Sequence, residues 1–130
     1  MRNPRQAKTW LMRAKSNLAR AKAGKIDPEI LYEDICFDAQ QAVEKALKSI
    51  CISHSISFSK THNISYLVEL LENGGILVPD EVKSARILTN YAIETRYPGD
   101  YEPVNEDEYL KAVEIAEDVL KWVEMTIDIE

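Results

Sequence analysis

Ile35-Cys-Phe-Asp-Ala-Gln-Gln-Ala-Val-Glu-Lys-Ala-Leu-Lys-Ser-Ile50 is the stretch that settles the fold class. Its apolar residues Ile35, Cys36, Ala39, Val43, Ala46, Leu47 and Ile50 recur at the helical period and share one inner face. Gln41, Glu44, Lys45 and Lys48 fall on the outer face and read as solvated charge. Asp27-Pro28 supplies a start signal, a capping side chain followed by proline at the first helical position, and the helix is expected to run to about His54. An apolar band this wide must be covered on more than one side, so this is the expected central helix.

Upstream, Asn3-Pro4 carries the same start signal, and Ala7, Leu11, Ala14, Leu18 and Ala21 form a single apolar stripe that ends near Gly24. Trp10 widens that stripe. Downstream, a serine-rich connector from Ser53 to Lys60 leads to Thr61-His62-Asn63 and a short helix with Ile64, Leu67, Val68 and Leu71, stopped by Asn73-Gly74-Gly75. Pro79, followed by Asp80 and Glu81, opens a fourth helix carrying Val82, Ala85, Leu88 and Ala92. Pro98 ends it at about Arg96, and Pro98-Gly99 suits the centre of a type II turn. Asn105 with Glu108 caps a last helix bearing Tyr109, Val113, Ala116, Leu120, Val123 and Ile127. No strand pattern interrupts the series. The expected fold is all-α, an antiparallel up-and-down bundle of four to five helices formed by residues 1–130 as one domain.

The 130 residues can bury enough apolar surface to fold without staples. No apolar run approaches the ~18 residues of a membrane span, and the first residues lack the apolar core of a secretory signal, so a cytoplasmic protein is expected. Cys36 and Cys51, fifteen residues apart on one helix, are about 22 Å apart and cannot bridge; both read as buried reduced thiols. The net charge of −6 is unevenly spread: residues 1–26 hold eight Lys or Arg and no acid, and residues 100–130 hold eleven acids and two Lys. Either the first helix meets an acidic partner such as nucleic acid, or the first and last helices are neighbours whose charges offset.

Catalytic signatures are lacking: there is no glycine-rich phosphate loop, and His54 and His62 match no metal-ligand spacing. No catalytic residue, metal or cofactor is assigned. His62, just before the third helix, suits a local role against free backbone donors or a neighbouring acid. Trp10, Trp122 and Phe37 lie on or beside apolar stripes and read as core or dimer-interface residues. The segment Tyr91 to Pro103 differs, because an arginine, three tyrosines and three acids crowd onto a helix end and the following loop. Two readings are open there. Arg96 either caps the last carbonyls and pairs with Glu94, Asp100 or Glu102, or it binds a phosphate with Tyr97, Asp100 and Tyr101 around the ligand.

Taken together, the Trp10-Leu11 helix, the run from Cys36 to Lys48, Thr61-His62 before Leu67 and Leu70-Leu71, and Tyr91 followed by Arg96-Tyr97-Pro98 resemble the HEPN family. The resemblance covers nearly the whole chain. It implies a homodimeric helical bundle whose function is tied to nucleotides or RNA and which is often paired with a minimal nucleotidyltransferase. One branch of the family comprises metal-independent ribonuclease toxins of toxin–antitoxin pairs, marked by an arginine followed four to six residues later by a histidine. Here Arg96 stands where that motif would begin, but Tyr101 and Glu102 occupy the place of the histidine, and no histidine follows anywhere. The resemblance therefore implies a ligand-binding role for Arg96, Tyr97, Asp100 and Tyr101, with a divergent ribonuclease in which Tyr101 or His62 replaces the missing histidine as the alternative.

Overall fold

The computed structural model describes residues 4–93 and 103–128. Helix α1 spans Pro4–Ala23, α2 Tyr32–Ser53, α3 Ile64–Asn73, α4 Asp80–Lys83, α5 Thr89–Ile93 and α6 Glu106–Asp128, with one 3₁₀ segment, Ser84–Leu88, between α4 and α5. Among the described residues there is no strand, and no helix is long and apolar enough to cross a membrane.

The central helix is α2, which packs against α1, α3, α5 and α6. Its Cys36, Ala39, Val43, Ala46, Leu47 and Ile50 are fully buried. The small residues Ala7, Ala14 and Ala21 form the buried seam of α1, and Ala112, Val113, Ala116, Val119, Leu120 and Val123 that of α6. Both cysteines are buried and free. Contacts fix the directions: Asn17 bonds Asp38 while Trp10 lies near Lys48, so α1 opposes α2, and Lys15–Glu124 with Lys22–Glu117 shows that it also opposes α6.

Local chemistry sets the element ends. Asn63 caps α3 by accepting from the Tyr66 amide at 3.1 Å, and Asn105 accepts from the Glu108 amide at 2.8 Å at the start of α6. Gly24 closes α1 at φ +69°, and a Cβ there would stand 2.9 Å from the Tyr109 hydroxyl, which itself donates to the Ala21 carbonyl at 3.1 Å. One small residue thus lets α6 approach the end of α1.

Three expectations are corrected. Asp27-Pro28 forms a turn rather than the start of α2: Asp27 Oδ1 accepts from the Glu29 amide at 2.8 Å, its carbonyl accepts from Ile30, and the helix begins at Tyr32. Asp followed by proline is equally a turn signal, and here the side-chain bond favours the turn. The fourth helix is three consecutive pieces, α4, the 3₁₀ segment and α5; at the first junction the Ser84 hydroxyl donates back to the Glu81 carbonyl at 2.7 Å, a competing bond that weakens the regular ladder. The third correction concerns the face of α2 that carries Glu44. The Asn3 cap, the end of the fourth helix near Arg96 and the Pro98-Gly99 turn lie outside the described residues.

Candidate functional site: a buried polar cluster and the two ends of the bundle

Glu44 is only 3% exposed and Lys48 7%, so two of the four residues expected on the solvated face of α2 are interior, with Gln40, 0% exposed, in line with them, while Gln41 and Lys45 are half-buried. Gln40, Glu44 and Lys48 recur every four positions and form one stripe. The cover comes from the connector 54–63, which doubles back along α2 and places His62 beside Glu44, about two and a half turns before the helix ends. Trp10 from α1 and Phe58 from the connector close the top, edge to face with centroids 6.2 Å apart, and the Lys48 ammonium lies 5.6 and 5.5 Å from their ring centres.

Inside, Lys48 Nζ meets Glu44 Oε1 at 2.7 Å, while Oε2 accepts from Gln40 at 2.9 Å, Gln41 at 3.1 Å and His62 Nδ1 at 3.0 Å. Lys48 also donates to the Thr61 carbonyl and Gln40 to that of His62, so the side chains of α2 hold the connector by its backbone. Burial alone would raise the Glu44 carboxyl. Hydrogen bonds from Lys48, His62 and Gln40 outweigh it and hold the group below the ordinary carboxylate range. The anion holds the ring of His62 through Nδ1, and 49% of that side chain is exposed. Of the two partners expected for His62, free backbone donors or a neighbouring acid, the structure shows the acid.

The missed part is the burial of Gln40, Glu44 and Lys48. Polar residues at i, i+4 and i+8 look alike on a solvated face and in a buried ladder; the distinguishing signal lies in the aromatic Trp10 and Phe58, far away in sequence.

The opposite end of the bundle is rich in tyrosine and acid. Tyr32 and Tyr109 stack with centroids 5.4 Å apart, Tyr32 donates to Glu106, and Tyr91 donates to Glu108 at 3.2 Å while lying against Cys36. Burial, with Glu108 adding its charge, pushes the Cys36 thiol up to about 12. Arg96, Tyr97, Asp100 and Tyr101 lie outside the described residues. The described chain enters their segment from α5, one residue pair after Tyr91, and resumes at Pro103, just before Glu106 and Glu108.

The charge asymmetry is partly internal. Lys15 pairs with Glu124 at 2.9 Å and Lys22 with Glu117 at 3.8 Å, so the basic first and acidic last helices are neighbours that offset one another. Arg20 pairs with Asp38, which also accepts from the buried Asn17, and Asn17 accepts from Lys45. Among the described residues no group of three or more His, Cys, Asp or Glu is placed to hold a metal ion.

No curated protein sequence matches the chain. The crystal structure of an archaeal HEPN homologue is similar to it with a TM-score of 0.72 at 25% identity, covering 93% of this chain and 97% of that one. A sequence model described as the HEPN domain matches residues 7–126. That match takes in the buried α2 stripe, the His62 connector and both ends of the bundle, and the chain belongs to the HEPN family.

Proposed function

We propose that this HEPN domain binds a nucleotide or an RNA phosphate without cutting RNA, as a homodimer that serves as the non-catalytic partner of a minimal nucleotidyltransferase. Arg96 supplies a permanent planar cation for phosphate, Tyr97 and Tyr101 supply stacking faces and hydroxyls, and Asp100 supplies an acceptor for a sugar or base. The observation that carries this reading is the family match over residues 7–126 combined with an Arg96 that no histidine follows. Tyrosine, with an ordinary pKa of about 10, is a poor proton acceptor near neutrality, so the residue at the histidine's place supports binding rather than cleavage.

The test is a calorimetric titration of AMP, ATP and a short oligoribonucleotide into wild type and Arg96→Ala. Binding that Arg96→Ala weakens tenfold or more supports the reading; equal and negligible heats from both proteins would sink it. Co-purification with a co-encoded nucleotidyltransferase on a sizing column tests the partner.

A second reading, a divergent ribonuclease toxin of a toxin–antitoxin pair, has one observation in its favour. His62 is half exposed and oriented by a buried carboxylate, the arrangement that prepares an imidazole for proton transfer. It requires growth arrest on expression, lost in both Arg96→Ala and His62→Ala.

A further inference from the structure

The cations of α1 divide into two sets. Lys15, Arg20 and Lys22, in the second half, each meet an acid of α6 or α2, and Lys25 beyond the helix lies 4.7 Å from the Tyr32 ring centre. Arg5, Lys8 and Arg13, in the first half, have no acidic partner among the described residues. Arg5 and Arg13 line one groove of about 420 Å³ with Gln6, Thr9 and Trp10. Eight residues of helix separate the two guanidinium-bearing positions, about 12 Å along the axis, on one side of the helix. Lys45 of α2, which donates to Asn17, lies near enough to Arg13 for like-charge proximity to lower its pKa, after burial, with Glu44 and Asp38 acting the other way.

These exposed cations beside an indole present a positive surface that an anion can meet. Trp10 is held from behind by Phe58 and Lys48, so its position in the groove is fixed by the buried cluster. The acids near Tyr109 lie too far to cancel this potential, since its contact at Ala21 is sixteen residues of helix from Arg5, about 24 Å, against a screening length of about 8 Å at physiological salt; nearer along α6, Glu124 is taken up by Lys15.

We propose that this groove on the N-terminal half of α1 holds the phosphodiester backbone of a single-stranded polynucleotide, with Arg5 and Arg13 on phosphates and Trp10 beside a base. The inference rests on the nucleic-acid reading above and adds to it a surface at the end of the bundle remote from Tyr91. Arginine forks suit phosphate oxygens, and an aromatic side chain between them tolerates any base, so the site reads backbone and not sequence.

The test follows fluorescence anisotropy of labelled oligouridine and oligothymidine across a salt series, using the full chain. Removing two phosphate contacts with Arg5→Ala/Arg13→Ala should flatten the slope of log affinity against log salt by about 1.4 and weaken binding at least tenfold. Lys15→Ala/Lys22→Ala removes the same net charge from paired positions and should leave the slope unchanged. Equal affinity for the two polymers assigns any single strand, and preference for oligouridine assigns RNA; both outcomes support the groove. An unchanged slope in the Arg5/Arg13 variant, or equal flattening by both double variants, would overturn it. Arg96→Ala separates the two sites: oligonucleotide binding lost there and kept in the Arg5/Arg13 variant overturns the groove alone. Binding that depends on Arg5 and Arg13 but not on Arg96, with no mononucleotide binding, overturns the Arg96 reading alone.

Discussion

Replacing Glu44 by alanine removes the anion on which Lys48, His62, Gln40 and Gln41 converge and leaves the Lys48 ammonium, 7% exposed, without a counter-charge. Breaking a buried pair on one side costs about 3–5 kcal/mol, a large share of the roughly 5–15 kcal/mol that holds such a domain folded. Urea unfolding followed by helical circular dichroism reads the loss as a lower midpoint at an unchanged denaturant dependence. Glu44→Gln/Lys48→Met, which leaves no buried charge unpaired, should regain most of it. The pH dependence follows from the lowered carboxyl. Its contribution is fully present above the ordinary value of 4.5 and is lost as pH falls through the folded value; Glu44→Gln should lack that part of the acid transition. A loss below about 1 kcal/mol for Glu44→Ala, the cost of a solvated pair, would refute the interior placement of the cluster.

Other outcomes follow from single contacts. Asn63→Ala should cost about 1 kcal/mol by removing the cap on the Tyr66 amide, and Asn63→Asp should cost little, measured in the same urea titration. Gly24→Ala should destabilise by about 1 kcal/mol or more, since the backbone is at φ +69° and the new Cβ meets the Tyr109 hydroxyl; adding Tyr109→Phe should relieve part of the loss. Cys36 and Cys51, pushed by burial up to about 12 and about 11, should react with a thiol reagent at pH 8 only at the rate at which the protein opens, so labelling should accelerate in step with urea.

What the sequence displays depends on whether a signal is local. The stripes of α1 and α6, the Asn105 cap, the stop after Asn73 and the burial of both cysteines were all legible, because each is a matter of period or of one side chain and its own helix end. The 3₁₀ segment was not, since Ser84 bonding back to Glu81 leaves the apolar period of Val82, Ala85 and Leu88 intact. Glu44 and Lys48 were misread for a different reason. Their burial depends on a connector that reverses direction and on a tryptophan some 34 residues upstream of Glu44, and periodicity contains neither. The same reversal makes His62 a partner of Glu44 rather than an isolated loop histidine. The alternative that the first and last helices offset each other holds for Lys15 and Lys22, while Arg5 and Arg13 pair with no acid among the described residues, a division that composition alone averages away.

The claim that this HEPN domain binds without cutting is tested most directly by holding an end-labelled oligoribonucleotide with excess wild-type protein. One half of each sample is read by anisotropy and the other on a denaturing gel. The account predicts a bound RNA that stays full length for as long as binding is observed. Shortening of the RNA by wild type, abolished in Arg96→Ala, would contradict it.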